Sequence, residues 1–135
     1  SFAERHYPMK VYIASYFNTR DRIVPMAHAI RDQGHTITAS WLETANDDNS
    51  RPRWREYALR DMDEILASDL LIVDTFDVTP RGGREVELGL AIAWGLYVWG
   101  VGPKRNVFHE LVDPWFETWE EALTDLGNMD ENTTG

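Results

Sequence analysis

Apolar positions recur along the chain with two different periods, and the switches between them mark an α/β protein. Residues 10–15 form a β-rich run that reads as a first strand, closed by a loop over 16–20. Ile23, Met26, Ala27 and Ile30 then follow with helical spacing. Asn18 or Asp21 is expected to cap this helix, Pro25 requires that the helix has just begun, and Gly34 ends it. Residues 36–41 alternate as a second strand, and 43–52 are a polar loop. A long helix is predicted next, with Trp54, Tyr57, Ala58, Ile65 and Leu66 on its apolar face. Residues 70–76 read as a third strand, 77–83 as a loop, and 83–94 as a helix. A fourth strand over 96–101 is closed by Gly102-Pro103. A short helix is expected over 107–112, and a last one over 117–126 that Gly127 stops.

Strands alternating with helices imply a parallel sheet covered on both faces. With right-handed crossovers the simplest arrangement is a flavodoxin-like, Rossmann-like three-layer sandwich of four to five strands, with strand order 2-1-3-4. The loops after Ser15 and after Phe76 then flank one crevice, where the order reverses, and this is the predicted pocket. Residues 1–8 lack periodicity and are read as a leader or expression remnant, with Met9 a natural start. Residues 9–127 are expected to form one domain, and 128–135 an acidic flexible tail.

Composition narrows the partners. The 135 residues are 43% hydrophobic and 27% charged, with a formal net charge of -10. Such a surface repels phosphate backbones and anionic membranes, so no nucleic acid polymer and no membrane is expected as partner, although a local arginine cluster can still hold a small anion. After Arg105 there is no Lys or Arg, and eight acids follow. The absence of cysteine rules out disulfides, thiolate chemistry and zinc–thiolate sites. With no signal peptide and no long apolar run in the sequence, a cytoplasmic protein is expected. Six tryptophans suggest large aromatic core contacts or a subunit interface, and the group Trp99, Trp115, Phe116 and Trp119 is read in that way.

The candidate chemistry lies in residues 81–91, Arg-Gly-Gly-Arg-Glu-Val-Glu-Leu-Gly-Leu-Ala, where a strand, a glycine pair and a helix follow one another. Glu87 stands close to the packed side between Val86 and Leu88, whereas Glu85 reads as a solvated first-turn acid. Asp61 is four residues from both Tyr57 and Ile65, within an apolar stripe. It either pairs with Arg55 or Arg60, or faces Glu87 as a proton donor. Two carboxylates across one crevice suit chemistry at an anomeric carbon, one attacking and one protonating the leaving group. On this reading the helix N-terminus keeps Glu87 ionised, and partial burial raises the pKa of Asp61.

Three segments, in order, resemble the nucleoside 2-deoxyribosyltransferase family and the related nucleotide N-glycosidases of the same fold. They are Val11-Tyr12-Ile13-Ala14-Ser15-Tyr16-Phe17, Asp61-Met62-Asp63-Glu64-Ile65-Leu66-Ala67-Ser68-Asp69, and Gly83-Arg84-Glu85-Val86-Glu87-Leu88-Gly89-Leu90-Ala91. The resemblance spans residues 10 to about 112. It implies that Glu87 attacks C1′ to form a glycosyl-enzyme, that Asp61 assists departure of the base, and that Tyr12 orients Glu87. On pattern alone, Tyr12 is equally an aromatic in a buried strand. Among substrate-binding residues the resemblance places Ser15 and Phe17 after strand one, Asp74 and Asp77 after strand three, and Gly83 and Arg84 before the nucleophile. Asn106 and His109 follow strand four, where the family can complete a neighbouring subunit's site. No metal or organic cofactor is implied. The implied partners are a nucleoside or nucleotide, a free nucleobase, and further copies of the chain in a homodimer or larger homo-oligomer.

The sequence departs from the family in one place. An Asp-x-Gly-Thr segment is common before the nucleophile, and here it is Arg81-Gly82-Gly83-Arg84. These arginines either favour a phosphate-bearing substrate or are surface residues paired with Glu85 and other acids. Transfer to another base, hydrolysis of a 5′-monophosphate, and nucleotide binding without turnover all remain open readings.

Overall fold

The computed structural model describes residues 7–43 and 53–134, with side chains as far as Met129. The expected leader up to residue 6, and the expected polar loop from residue 44, lie outside the described residues.

The apolar run 70–73, with Asp74 at its carboxyl end, forms the central strand, β3 (Leu70–Asp74), and every residue of it is buried. Such a continuous run, rather than an alternating one, is what a strand covered on both faces requires. β1 (Lys10–Ala14) pairs parallel on one side of β3 and β4 (Tyr97–Val101) on the other. The short strands β2 (Thr36–Ile37) and β5 (Trp115–Phe116) close the edges, giving five parallel strands in the order β2-β1-β3-β4-β5. The expected order is therefore found, with a fifth strand added beyond β4. Two residues are too few to carry a periodic signal, so β5 is invisible in the sequence.

Among the described residues, four α-helices cover the sheet: α1 (Arg20–Asp32), α2 (Trp54–Leu66), α3 (Gly83–Ala93) and α4 (Trp119–Thr134). α1 packs with α4, and α2 with α3, as right-handed crossovers demand for this order. Ile23, Ala27 and Ile30 form the buried stripe of α1. Its N-cap is Thr19, without a side-chain cap bond, rather than Asn18 or Asp21. Pro25 lies in the second turn, deeper than expected. Gly34 ends the segment at φ 97°, a backbone that L side chains rarely adopt.

Three elements differ from expectation for identifiable reasons. The second strand keeps only Thr36 and Ile37, because the chain leaves the sheet after Thr38 and turns through a short 3-10 segment, Ser40–Leu42. α2 buries only Ile65 of its expected apolar face, while Trp54, Ala58 and Leu66 are exposed. Its inward line is instead the polar stripe Tyr57, Asp61, Glu64 and Ser68. Glu64 accepts from the Ser40 amide at 3.2 Å, and Ser68 meets Thr38 Oγ1 at 2.6 Å. α4 runs through Gly127 to Thr134, where a stop was expected. Packing outweighs the glycine there, since Leu126 is buried and Gln33 Nε2 donates to Leu123 O at 3.0 Å.

Trp99, Phe116 and Trp119 are core residues, and the rings of Trp99 and Phe116 meet at 5.3 Å. Trp115 lies against Gly100, and a Cβ there would collide with the indole. At the N-terminal side, the Tyr7 hydroxyl donates to Gln33 O at 2.7 Å, tying residue 7 to the end of α1. Among the described residues no helix is long and apolar enough to cross a membrane.

Candidate active site

The carboxyl ends of β1 and β3 diverge at the point where the strand order reverses, and a crevice opens there with a cavity of about 210 Å³. The segment after β1 delivers Ser15 and Phe17, α3 delivers Gly83, Arg84 and Glu87, and α2 delivers Tyr57, Arg60 and Asp61. Of the residues expected to bind or react, Ser15, Phe17, Asp61, Gly83, Arg84 and Glu87 share this lining.

Glu87 lies one turn into α3. The Tyr12 hydroxyl, on a residue with no exposed surface, donates to Glu87 Oε2 at 2.5 Å. Part of the Glu87 side chain faces the crevice, yet its carboxyl is hemmed in. Burial first, and then the negative charge of Asp61, push its pKa up to about 8, against the lowering effect of the Tyr12 hydrogen bond. A hydrogen bond with Asp61 and the charge of Glu64 push in the same direction. Burial, and then the same carboxylates, hold the Tyr12 phenol well above its ordinary pKa, so it stays a donor. The helix terminus, expected to keep Glu87 ionised, therefore does not hold its pKa down. Desolvation and a facing acid outweigh a dipole whose influence fades within the first turn. Asp61 and Glu87 form a coupled pair that holds a proton between them near neutrality.

Asp61 stands between Arg60 and Glu87: Arg60 Nη2 lies 3.3 Å from Asp61 Oδ1, and the Asp61 carboxyl also acts on Glu87 by its charge and by a hydrogen bond.

Asp74 and Asp77 stand at the end of β3 but turn away from the crevice lining. Asp74 is fully buried and accepts from Arg22 at 2.8 and 3.0 Å and from Trp119 Nε1 at 2.6 Å. Ser15 Oγ is 3.4 Å from the same carboxylate. Asp77 takes the other edge of Arg22 at 2.6 Å. This network fixes α1 and α4 to the end of the central strand.

Arg84, expected at the surface or on a phosphate, is buried. Its Nη1 donates to Asp77 O at 2.7 Å and to Asp74 O at 3.4 Å, and Nη2 reaches Glu85 at 3.3 Å. It therefore shapes the loop before α3. Arg81 remains at the rim of the crevice, exposed, with its guanidinium 5.7 Å from the Trp54 ring centroid.

Asn106 and His109 do not line the crevice. His109 is fully buried, accepts from the Arg105 amide at Nδ1 at 2.9 Å, and so presents Nε2–H to Glu85 Oε2 at 3.0 Å. Asn106 caps the 3-10 segment Val107–Leu111 by accepting from the amides of Phe108 and His109. Glu85 is not the solvated acid expected. Burial pulls its pKa up, but hydrogen bonds from Asn106 and His109 bring it below the ordinary value.

Sequence reasoning missed two aromatic walls. Trp41 folds back from the shortened second strand, and its Nε1 donates to Ile13 O at 2.9 Å, with its ring 6.1 Å from Phe17. Tyr57 comes from the face of α2 read as core. An aromatic followed four residues later by an acid on one helix was the available signal. Among the described residues, no group of three or more His, Asp or Glu is placed to share a metal ion.

No family model matches the sequence, and no curated protein matches it significantly. Solved structures do match. The 2-deoxyribosyltransferase of Bacillus psychrosaccharolyticus superposes with a TM-score of 0.70 at 22% identity, over 84% of this chain and 90% of that one. The CMP N-glycosidase of Clostridium botulinum superposes with a TM-score of 0.61 at 19% identity, over 87% and 97%. At these identities the likeness is one of fold, and the fold is the one the resemblance implied.

Proposed function

We propose that this chain is an enzyme that breaks the N-glycosidic bond of a (deoxy)nucleoside through a glycosyl-enzyme on Glu87 and passes the sugar to a second base. The observation that carries this reading is the contact of Glu87 with Tyr12 at 2.5 Å, with Asp61 facing the same carboxyl across the crevice. In the reactive form of the pair the shared proton sits on Asp61 and Glu87 is ionised. A Glu87 oxygen forms a bond to C1′ as the bond from C1′ to the base nitrogen breaks. The electron pair leaves with the base, which takes the proton from Asp61. The Tyr12 hydroxyl steers the attacking carboxylate and holds its second oxygen. The reverse of this step on another base completes transfer, and no cofactor is needed.

A second reading is hydrolysis of a nucleoside 5′-monophosphate. It is favoured by Arg81, a cation at the rim beside the N-terminus of α3, where an anion is well placed. We further infer a cytoplasmic protein that assembles with copies of itself. Leu59, Met62 and Leu66 recur with helical spacing on the outer face of α2 and are 44%, 37% and 62% exposed. A monomer in sedimentation velocity would remove the assembly from the proposal.

The test is a chromatographic assay of a deoxynucleoside panel and the matching monophosphates, with and without a free acceptor base, on wild type and Glu87→Ala. A new nucleoside formed only with acceptor and only by wild type supports transfer. Free base released without acceptor supports hydrolysis. Turnover that survives Glu87→Ala removes the covalent mechanism, and no turnover at all favours a nucleotide-binding domain.

A further inference from the structure

Tyr57 has a feature that the steps above leave unused. It lines the crevice, and its hydroxyl is buried with no hydrogen-bond partner among the described residues. A buried hydroxyl without a partner is costly, so an acceptor or donor is expected to reach it in the working state. We propose that the Tyr57 hydroxyl reads the far edge of the bound base and selects heterocycles that carry an amino or carbonyl group there. This inference rests on the glycosidic reading of the site and names the substrate class it would take.

The placement comes from α2. Tyr57 precedes Asp61 by four residues, so the two side chains leave the helix on one face, with Cβ atoms roughly 5–6 Å apart. That separation is comparable with the span of a nucleobase from its glycosidic nitrogen to the exocyclic group on its opposite edge. With Asp61 at the scissile end, Tyr57 falls at the other. The walls suit a planar ring, since Trp41 and Phe17 line the same crevice and the Trp41 indole is fixed by its bond to Ile13 O.

The Tyr57 ring is itself held. The guanidinium carbons of Arg53 and Arg60 lie 5.3 and 5.1 Å from its centroid, and these cations restrain the ring that carries the hydroxyl. Two other polar groups of the lining are committed elsewhere, Arg84 to loop carbonyls and Arg60 to Asp61. A phenol both donates and accepts. It therefore accommodates an amino or a carbonyl group equally, and discriminates against a ring that is bare at that edge.

The experiment compares two substrate pairs, each a nucleoside and its analogue lacking the exocyclic group: deoxycytidine with the 2-pyrimidinone deoxynucleoside, and deoxyadenosine with the unsubstituted purine deoxynucleoside. Wild type is expected to prefer the substituted member of the pair it accepts by roughly 10–100-fold in kcat/KM, and Tyr57→Phe to bring that ratio to about 1. The thermal midpoint of Tyr57→Phe should equal or exceed that of wild type, because removing an unpaired hydroxyl costs the fold nothing. A ratio unchanged by Tyr57→Phe, or a lowered midpoint with an equal loss on both substrates, would overturn the inference while leaving the glycosidic reading intact. Should wild type turn over neither these nor the matching 5′-monophosphates, the glycosidic reading fails by itself. Calorimetric titration with free cytosine and free 2-pyrimidinone then reads Tyr57 directly. The same ratio and the same response to Tyr57→Phe are expected, and binding of neither base overturns the inference.

Discussion

The phenol of Tyr12, buried in β1, and the carboxyl of Glu87, one turn into α3, meet at 2.5 Å. The contact joins the sheet to the helix layer that carries the proposed nucleophile. It also leaves only one oxygen of Glu87 for the crevice, so the hydroxyl sets the direction in which the carboxylate can react.

Tyr12→Phe removes this constraint without changing the volume of the core. Turnover is expected to fall roughly 10–100-fold, mainly in kcat, because the lost interaction acts on the reacting group rather than on substrate binding. Steady-state kinetics beside Glu87→Ala, which should be inactive, would check this. A Tyr12→Phe variant with full kcat would remove the orienting role.

The coupled pair predicts a bell-shaped pH dependence. With its higher pKa raised to about 8, the pair loses its remaining proton as pH climbs through that value, and the leaving base is then left without a donor. Activity should therefore decline on the alkaline side near 8. In Asp61→Asn the facing charge is gone, so the Glu87 pKa falls toward the ordinary range and the alkaline limb disappears along with most of the rate. An alkaline limb unchanged in Asp61→Asn would assign it to another group.

The same shift is a stability statement. The folded pKa of Glu87 is raised above its unfolded value, so the stability linked to its proton is fully present below the unfolded pKa. It is lost as pH rises through about 8. Glu87→Gln, which cannot ionise, should be more stable than wild type at about pH 9, by on the order of a few kcal/mol, and nearly equal to it at about pH 4. Denaturant melts at the two pH values decide the matter, and a constant difference would contradict the raised pKa.

Arg84 is expected to be structural in effect even though it stands at the crevice. Arg84→Ala strips donors from Asp77 O and Asp74 O and leaves Glu85 short of a charge partner. A loss of about 2–3 kcal/mol should follow. Added phosphate should not restore it, whereas Arg81→Ala should leave the melting temperature near wild type and weaken any monophosphate preference.

Among the described glycines, Gly100 is the most closely approached. A methyl group there would occupy the space of the Trp115 ring. Gly100→Ala should cost about 1–3 kcal/mol, and Gly100→Ala combined with Trp115→Leu should recover part of that in thermal melts.

Much of this protein is legible in the chain itself. The apolar run 70–73 marks the central strand and the helical spacing of Ile23, Ala27 and Ile30 marks one helix face, because burial on two faces leaves a continuous run and burial on one face a periodic mark. The Gly-Gly loop before Glu87 and the position of Asp61 within a helical stripe put the two candidate carboxyls on helices that border the crevice. What the tertiary structure decided is where polar and short segments go. Trp41 becomes a wall because the chain leaves the sheet after Thr38, and α2 turns a polar stripe inward because it borders a crevice rather than a core. Arg84, Glu85 and His109 are bound to one another and to loop carbonyls across residues far apart in sequence. The raised pKa of Glu87 has the same origin, since desolvation and a facing acid depend on which groups the fold brings together, and no local pattern records that.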